Sequence, residues 1–446
     1  MNHTSTTELS RPALAARVTP APAIPARRIT DRPALYLLAS LIVSLLAASA
    51  APTPLYASYA QHWGFTPVTT TIIFGVYAIA VLAALLTLGR LSDYVGRKPV
   101  LLAALAVQAI SLIVFTTAGG TSELLLARII QGLATGSALG AIGAGMIDID
   151  RERGTLANAL APGLGTGSGA IASALLVQYL PAPTHLVYLV IIAVLVAQAA
   201  GVALLRETVT RSRPSLAVLV PEVRLPAAVR GRMLAATPVV FAVWALAGLY
   251  GALGPSLVQA LTGSASEVLG GLSLTALAAP AVIAVYLLRG LTARHVMLTG
   301  IAALVIGVAI TLAALSAGSV ALFFAGTIVS GIGFGSGFQG GIRIVVPEAA
   351  PHERAGVLSL MFTVAYLGMG IPAVGAGLLA VHGSGLLGAA RYYGLALIIL
   401  AALALAGLYR SRTARTVLKQ GRGGLRLSRP AHSRPCPRAD TVDKSV

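Results

Sequence analysis

The sequence is short of the groups that soluble proteins and enzymes rely on most. Charged residues make up only 10% of the 446 and aromatic residues 5%, against 57% hydrophobic. With mean hydropathy of +0.85, the chain has too little polar surface to cover a soluble globule. The one cysteine, Cys436, sits in a polar tail, which excludes a disulfide framework and a thiolate metal site. His3, His62, His185, His295, His352, His382 and His432 are scattered through tails and helix ends, so no metal site is expected, and no cofactor. Acids are scarcer still, 14 against 32 bases. All of them fall in tails, in loops or at helix ends: Glu123 and Glu267 towards one side, Asp93, Asp148, Asp150, Glu152, Glu348 and Glu353 towards the other. No paired carboxylates, metal cluster or activated nucleophile lies inside the apolar segments, which argues against an enzyme. No Gly-Lys-Ser/Thr phosphate loop is present either, so ATP is not expected to drive the protein directly.

What the chain has instead is apolar runs of membrane-crossing length, about 20 residues each. Residues 1–33, rich in Arg, Pro, Ser and Thr, read as a disordered cytoplasmic tail. Six runs follow near 35–58, 69–89, 99–118, 122–146, 155–180 and 184–205. A polar stretch over 206–232 reads as a cytoplasmic linker, and six more runs come near 234–260, 267–288, 295–316, 319–346, 355–381 and 386–409. The expectation is an all-α membrane protein of twelve transmembrane helices, in two pseudo-symmetric bundles over 34–205 and 233–410, with a basic cytoplasmic tail over 411–446. The first run, with a basic flank and the small triplet Ala48, Ser49, Ala50, imitates a secretory signal peptide. It continues apolar past Pro52 and Pro54, so it is read as the first crossing.

The bases fix the expected orientation. Of 32 Lys and Arg, 29 fall in the tails, the linker and alternate loops, and the other six loops hold none. Arg128, Arg343 and Arg391 lie within crossings. By the positive-inside rule both termini are cytoplasmic, in a multi-pass protein of the cell membrane. The net charge of +18 is explained by topology and anionic lipid, and no nucleic-acid partner is expected.

The halves echo each other. GLATGSALGA from Gly132 resembles GIGFGSGFQG from Gly331, and the following loops carry DRERG (Asp150 to Gly154) and HERAG (His352 to Gly356). Helix packing alone produces Gly-rich runs, but the Glu-Arg pair at the same place in each half argues for duplication. A duplicated unit places a substrate site near mid-membrane, where the halves meet.

Between the second and third runs, GRLSDYVGRKP (Gly89 to Pro99) packs Arg90, Asp93, Arg97 and Lys98 into one turn. Gly89 lets one helix end approach another, and Gly96 turns the chain. Asp93 is placed to face a neighbouring helix N-terminus, and Arg97 to reach a carboxylate on a different helix. The bland alternative is a basic turn obeying the charge rule. The order of residues resembles the signature loop of major facilitator superfamily transporters. In the fourth run, LLLARIIQGLATG holds Arg128 about two turns deep, at a cost on the order of 2.5 to 3.5 kcal/mol for a lone guanidinium. Arg128, Gln131, Gly132 and Gly136 resemble a second signature, that of the drug:proton antiporter branch. There the resemblance implies a role for Arg128 in proton coupling and the cavity; snorkelling to the headgroups is the other reading. APGLGTGSG, Ala161 to Gly169, resembles a third signature, with Ala161 standing where that branch has glycine. Pro162, Gly163 and Gly165 suit a hinge, and tight packing fits them equally.

The resemblance spans about residues 34–410. It implies a secondary active transporter working by alternating access, exporting a small amphipathic or drug-like molecule against protons. Uptake or export of a sugar or organic acid is the alternative in the same class, and a sensor or channel the alternative outside it. The partners expected are a small-molecule substrate, protons and the lipid bilayer, with the chain acting as a monomer. Asp93, Arg97 and Asp148 are expected to form a cytoplasmic network that latches the outward-facing state. Cavity candidates are Tyr36, Tyr56, Gln131, Trp244, Tyr250, Gln259, Phe338, Gln339 and Tyr366, with Arg128. Most are neutral, which suits an apolar or weakly anionic molecule; packing or an interfacial belt is the plain alternative.

Overall fold

Backbone polar groups cannot be left bare in lipid, so a chain this apolar resolves into helices that satisfy their own hydrogen bonds. The computed structural model describes residues 31–264 and 266–423, and twelve of its helices are long and apolar enough to cross a membrane. No strand occurs among the described residues. The tail before residue 31, and the end of the basic tail with Cys436, lie outside them. The first six crossings are Asp31–Trp63, Pro67–Leu88, Arg97–Thr117, Thr121–Ile149, Arg151–Tyr179 and Pro183–Leu204. The second six are Ala227–Thr262, Glu267–Gly290, Ala293–Ala317, Val320–Glu348, Arg354–His382 and Gly385–Gly407. The expected six-plus-six architecture is therefore the one the chain adopts. An even number of crossings leaves both ends on one side, here termed the basic face because its loops hold the lysines and arginines; the other is the far face.

Helix ends follow local chemistry. Pro67 and Pro183 stand in the first turn of their helices, where the missing N–H is no loss. The fifth, eighth and tenth crossings open on side-chain caps: Asp150 accepts from Arg153 N at 2.9 Å, Ser266 from Leu269 N at 3.4 Å and Ser319 from Leu322 N at 3.4 Å. Three helices outrun their apolar segments. The first begins at Asp31, inside the stretch read as tail. The seventh begins at Ala227, so the last six residues of the expected linker, with Arg230 and Arg232, are helical. The helix of the twelfth crossing continues to Gly423, past the expected boundary at 410. Arginine is a good helix former whose head reaches water while its stem lies along the bundle, so the charge that ends an apolar run need not end a helix.

The duplicated glycines explain why the halves pack alike. Side chains built on Gly132 and Gly136 in the fourth crossing would run into the Tyr77 and Val81 carbonyls of the second. Side chains on Gly331 and Gly335 in the tenth would run into the Leu277 and Ala281 carbonyls of the eighth. In both halves a four-residue glycine spacing meets a four-residue carbonyl spacing, the repeat of helices in close contact.

Two seams join the halves. The second crossing meets the eleventh, with Gly75 against Val374 and Gly377 against Thr71 and Val68. The fifth meets the eighth, where Cβ atoms on Gly163 and Gly271 would lie 2.5 Å from Val282 and Ala174. Phe74, Tyr77, Ala78, Val81 and Leu82 of the second crossing are buried in the same apolar cluster as the second bundle. Thr53 Oγ1 donates to Gly251 O at 3.3 Å, and Gln178 Oε1 accepts from Ser266 Oγ at 2.8 Å and Val268 N at 3.0 Å. The far-face ends of the bundles are thus drawn together.

Gly136→Val is expected to destabilise the purified protein by about 1–3 kcal/mol, because the carbonyl it meets belongs to a rigid helix. Gly375→Ala, where an added Cβ meets nothing within 4 Å, should leave the melting temperature in detergent unchanged or raise it.

Candidate functional site

At the basic face the signature turn is held from three directions. Arg97 pairs with Asp93 one turn away, its Nη1 donates to Ser92 Oγ at 2.6 Å, and its Nε reaches Asp148 Oδ2 at 3.4 Å on the fourth crossing. The three charges expected to meet do meet. They lie within one half, and they meet while the far face is drawn together. Asp93 faces Arg97 rather than a helix N-terminus. The acid that caps a helix here is Glu207, just beyond the sixth crossing, whose carboxylate accepts from Arg97 N at 2.8 Å and Lys98 N at 3.1 Å. Gly96 serves two needs at once: its φ is +106°, and a Cβ there would lie 2.5 Å from Glu207 Oε2. The close approach of the fourth crossing here is permitted by Gly140, since a Cβ on it would lie 2.8 Å from Gly89 O. Lys98 donates to the Ala203 carbonyl at the end of the sixth.

Inside the first bundle, Arg128 is 0% exposed. It neither snorkels nor lines an open cavity in this conformation. Its position follows from the first crossing, which breaks at Ala51 between helices Asp31–Ala50 and Pro52–Trp63. Pro52 brings no N–H to the Ala48 carbonyl, and side chains from other crossings take up the carbonyls around the break. Gln131 Nε2 donates to Ala48 O at 3.1 Å, Arg128 Nη1 to Ser49 O at 2.8 Å, and Ser173 Oγ to Ala51 O at 2.6 Å. Arg128 Nε also donates to Tyr56 Oη at 2.8 Å, and Nη1 to Gln131 Oε1 at 2.6 Å. The rings of Tyr56, Tyr77 and Phe115 lie 5.5, 5.3 and 5.7 Å from the guanidinium carbon. Neutral acceptors and ring faces, rather than a carboxylate, accommodate the buried charge.

The cavity candidates divide. Trp244 on the seventh crossing sits against Phe334 and Phe338 of the tenth and Tyr366 of the eleventh, at centroid distances of 6.1, 5.2 and 5.0 Å. Phe362 joins them, 6.0 Å from Phe338. The indole N–H of Trp244 is buried without a hydrogen-bond partner. Gln339, the residue after Phe338, is half-buried. Tyr36 does not belong to this group: it is 70% exposed near the basic end of the first crossing. Tyr250 is withdrawn into the second bundle, with its hydroxyl 2.7 Å from Thr327 Oγ1 and its ring 5.8 Å from Phe323. Gln259 lies at the far face, with Ser58, Gln61 and Glu267 around a cavity of about 110 Å³. Pro162 is accommodated in an unbroken helix, while Gly163 faces Val282 across the seam and a Cβ on Gly165 would lie 2.5 Å from Val43 O. These glycines provide close approach here.

Sequence reasoning passed over Glu207, Ser49, Ser173 and Tyr77. The Pro52 and Pro54 pair carried a usable signal, because freed carbonyls inside a crossing require donors from its neighbours. Gln131→Leu is expected to cost about 1–3 kcal/mol by leaving the Ala48 carbonyl unpaired. The cost should shrink in a Pro52→Ala background, where a restored N–H takes that carbonyl; thermal unfolding of the four proteins in detergent measures the coupling.

Comparison with known proteins agrees with this architecture. A mutant form of the nucleoside transporter NupG superposes with a TM-score of 0.65 at 14% identity, over 85% of this chain and 100% of that one. A bacterial homologue of the human lysosomal transporter Spinster, inward-facing and occupied, gives 0.65 at 13% identity over 84% and 96%. The human organic anion transporter MFSD10 gives 0.57 at 16% over 84% and 100%. Among curated sequences, an uncharacterized transporter of Rickettsia bellii is 39% identical over 85 residues, 19% of this chain and 21% of the relative. The multidrug resistance protein MdtL of Klebsiella pneumoniae is 36% identical over 78 residues, 18% and 20%. The chain thus spans about a fifth of the length of each of these curated relatives. The model of the Major Facilitator Superfamily matches residues 36–291, more than half of the sequence, and the chain belongs to that superfamily of transporters.

Proposed function

We propose that this transporter exports a small, amphipathic, drug-like molecule across the cell membrane in exchange for protons, by alternating access between its two bundles. The observation that carries the substrate class is the aromatic group of Trp244, Phe334, Phe338, Phe362 and Tyr366, set on three crossings of the second bundle. Its rings offer stacking faces, and the unpartnered Trp244 N–H offers one donor to an acceptor on the molecule. No acid or base belongs to the group, which disfavours a dication. The export direction and proton coupling are supported by the second signature, and a drug-like substrate by the likeness of a segment to the multidrug resistance protein MdtL. The distribution of bases makes the basic face cytoplasmic, with both termini inside. One chain supplies both bundles, so the working unit is a monomer.

Cells expressing the protein are expected to accumulate less of a lipophilic aromatic dye than control cells, and a protonophore should abolish the difference. Trp244→Ala should raise the dye concentration for half-maximal transport about tenfold, the loss of one aromatic contact and one hydrogen bond. Dye accumulation above the control would instead indicate uptake. A dye-insensitive protein that carries a sugar or organic acid would favour the polar-substrate reading.

A further inference from the structure

The segment between the bundles carries two acids, Glu207 and Glu222, which transport through the aromatic site leaves without a role. Glu207 fastens the start of this segment to the third crossing, and Ser212 N donates to Tyr94 O at 2.8 Å. A short helical turn, Leu216–Leu219, then packs on the second crossing and buries Val218 to 6% exposure. Next, Glu222 Oε2 accepts from Arg90 Nη1 at 2.5 Å, just beyond the end of the second crossing, and Glu222 Oε1 from Arg224 Nε at 2.9 Å. Arg224 N donates in turn to Gly356 O at 3.3 Å, in the first turn of the eleventh crossing. A Cβ on Gly356 would lie 2.9 Å from Arg224 Cβ, so the linker is seated directly on that helix.

Within three residues the linker therefore touches both crossings of one inter-bundle seam, at the face opposite their close contact. Among the described residues no ion pair joins the basic-face ends of the two bundles directly; the pair that approaches doing so runs through Glu222. Rigid rocking that parts Thr71 from Gly377 at the far face must bring the other ends of the same two helices together. Glu222 and Arg224 stand at those ends, the first paired with Arg90 and the second packed on Gly356. We propose that this stretch of the linker is a wedge that holds the second and eleventh crossings apart at the basic face, and that it must withdraw before the far face can open. The inference rests on the alternating-access reading above. The Arg90 side chain is 42% exposed and that of Glu222 22%, an ion pair weak enough to be broken and remade in each cycle.

The full chain carrying Cys436→Ser, with spin labels on Gln61→Cys and His382→Cys, reports the far-face separation by pulsed electron resonance in liposomes. Glu222→Gln is expected to raise the fraction of the long-distance class about threefold, the scale of one partly exposed ion pair. Arg90→Gln, which breaks the pair from the other side, should act alike, and the exchange Arg90→Glu with Glu222→Arg should return the fraction to the parent value. Unchanged distances in both single variants, or a charge exchange that fails to restore them in folded protein, would overturn the wedge. If the parent shows two distance classes that respond to an imposed pH gradient while Glu222→Gln shifts nothing, the wedge falls and alternating access stands. A single distance in every variant and gradient overturns both.

Discussion

A carbonyl without a donor inside lipid is the constraint on which this structure turns. Proline creates that situation in the first crossing, and the neighbouring helices are built to answer it. Arg128, Gln131 and Ser173 come from two different crossings and converge on three carbonyls around one break. The requirement reaches further than the break itself. To deliver a guanidinium to Ser49 O, the fourth crossing must bury a full charge, and Tyr56, Tyr77 and Phe115 gather around it to make that tolerable. An apolar side chain at 128 would be easier to bury, but it would leave the break unsatisfied. The break falls just before Thr53, the residue that reaches across to Gly251 of the other bundle. A backbone need in one helix is thereby linked to the contact between halves.

The second organising feature is the absence of side chains where helices cross. Within lipid there is little hydrophobic gain in bringing two helices together, so close packing of backbones supplies the attraction. Gly132 and Gly136 in the first bundle, and Gly331 and Gly335 in the second, let a whole helix settle onto the carbonyls of its neighbour. The inter-bundle seams use the same device more sparingly, at Gly75, Gly163, Gly271 and Gly377. Interiors packed this closely deform little, so movement of one bundle against the other would be expressed at the seams and not within a bundle.

Much of this was legible beforehand, and the parts that were not share a physical reason. The number of crossings follows from apolar length, and Asp148 as a partner of Arg97 follows from an acid at the correct end of the correct helix. Direction around a helix axis is different. A crossing that is apolar on every side gives no periodic signal to say which face is buried, so Tyr250 and Tyr36 could not be separated from Trp244 and Tyr366 by sequence. Tyr36 faces outward near a helix end, where belt aromatics belong, and Tyr250 is turned into its own bundle to find Thr327. Glu207 was hidden for another reason: its partner is a pair of backbone N–H groups a hundred residues earlier, and backbone groups leave no trace in a sequence.

Charge placement bears on how readily the halves can part. Arg128, the one fully buried cation among the described residues, takes all of its partners from the first bundle, so parting the bundles breaks none of its contacts. The same is true of Arg97 with Asp93 and Asp148, and, in the second bundle, of Arg232 with Glu348. What separation must break is small by comparison: van der Waals contact at the glycine seams and a few neutral hydrogen bonds, such as Thr275 Oγ1 to Gly167 O at 2.9 Å. Neutral hydrogen bonds contribute about 1 kcal/mol each, far less than leaving a buried charge without its partner. A protein that kept ion pairs across its mid-membrane seam would be held in one state by them. Confining the strong interactions to the interior of each bundle, and joining the bundles at the basic face through a partly exposed linker, leaves two rigid bodies and a weak boundary. That is the arrangement motion about a central site requires.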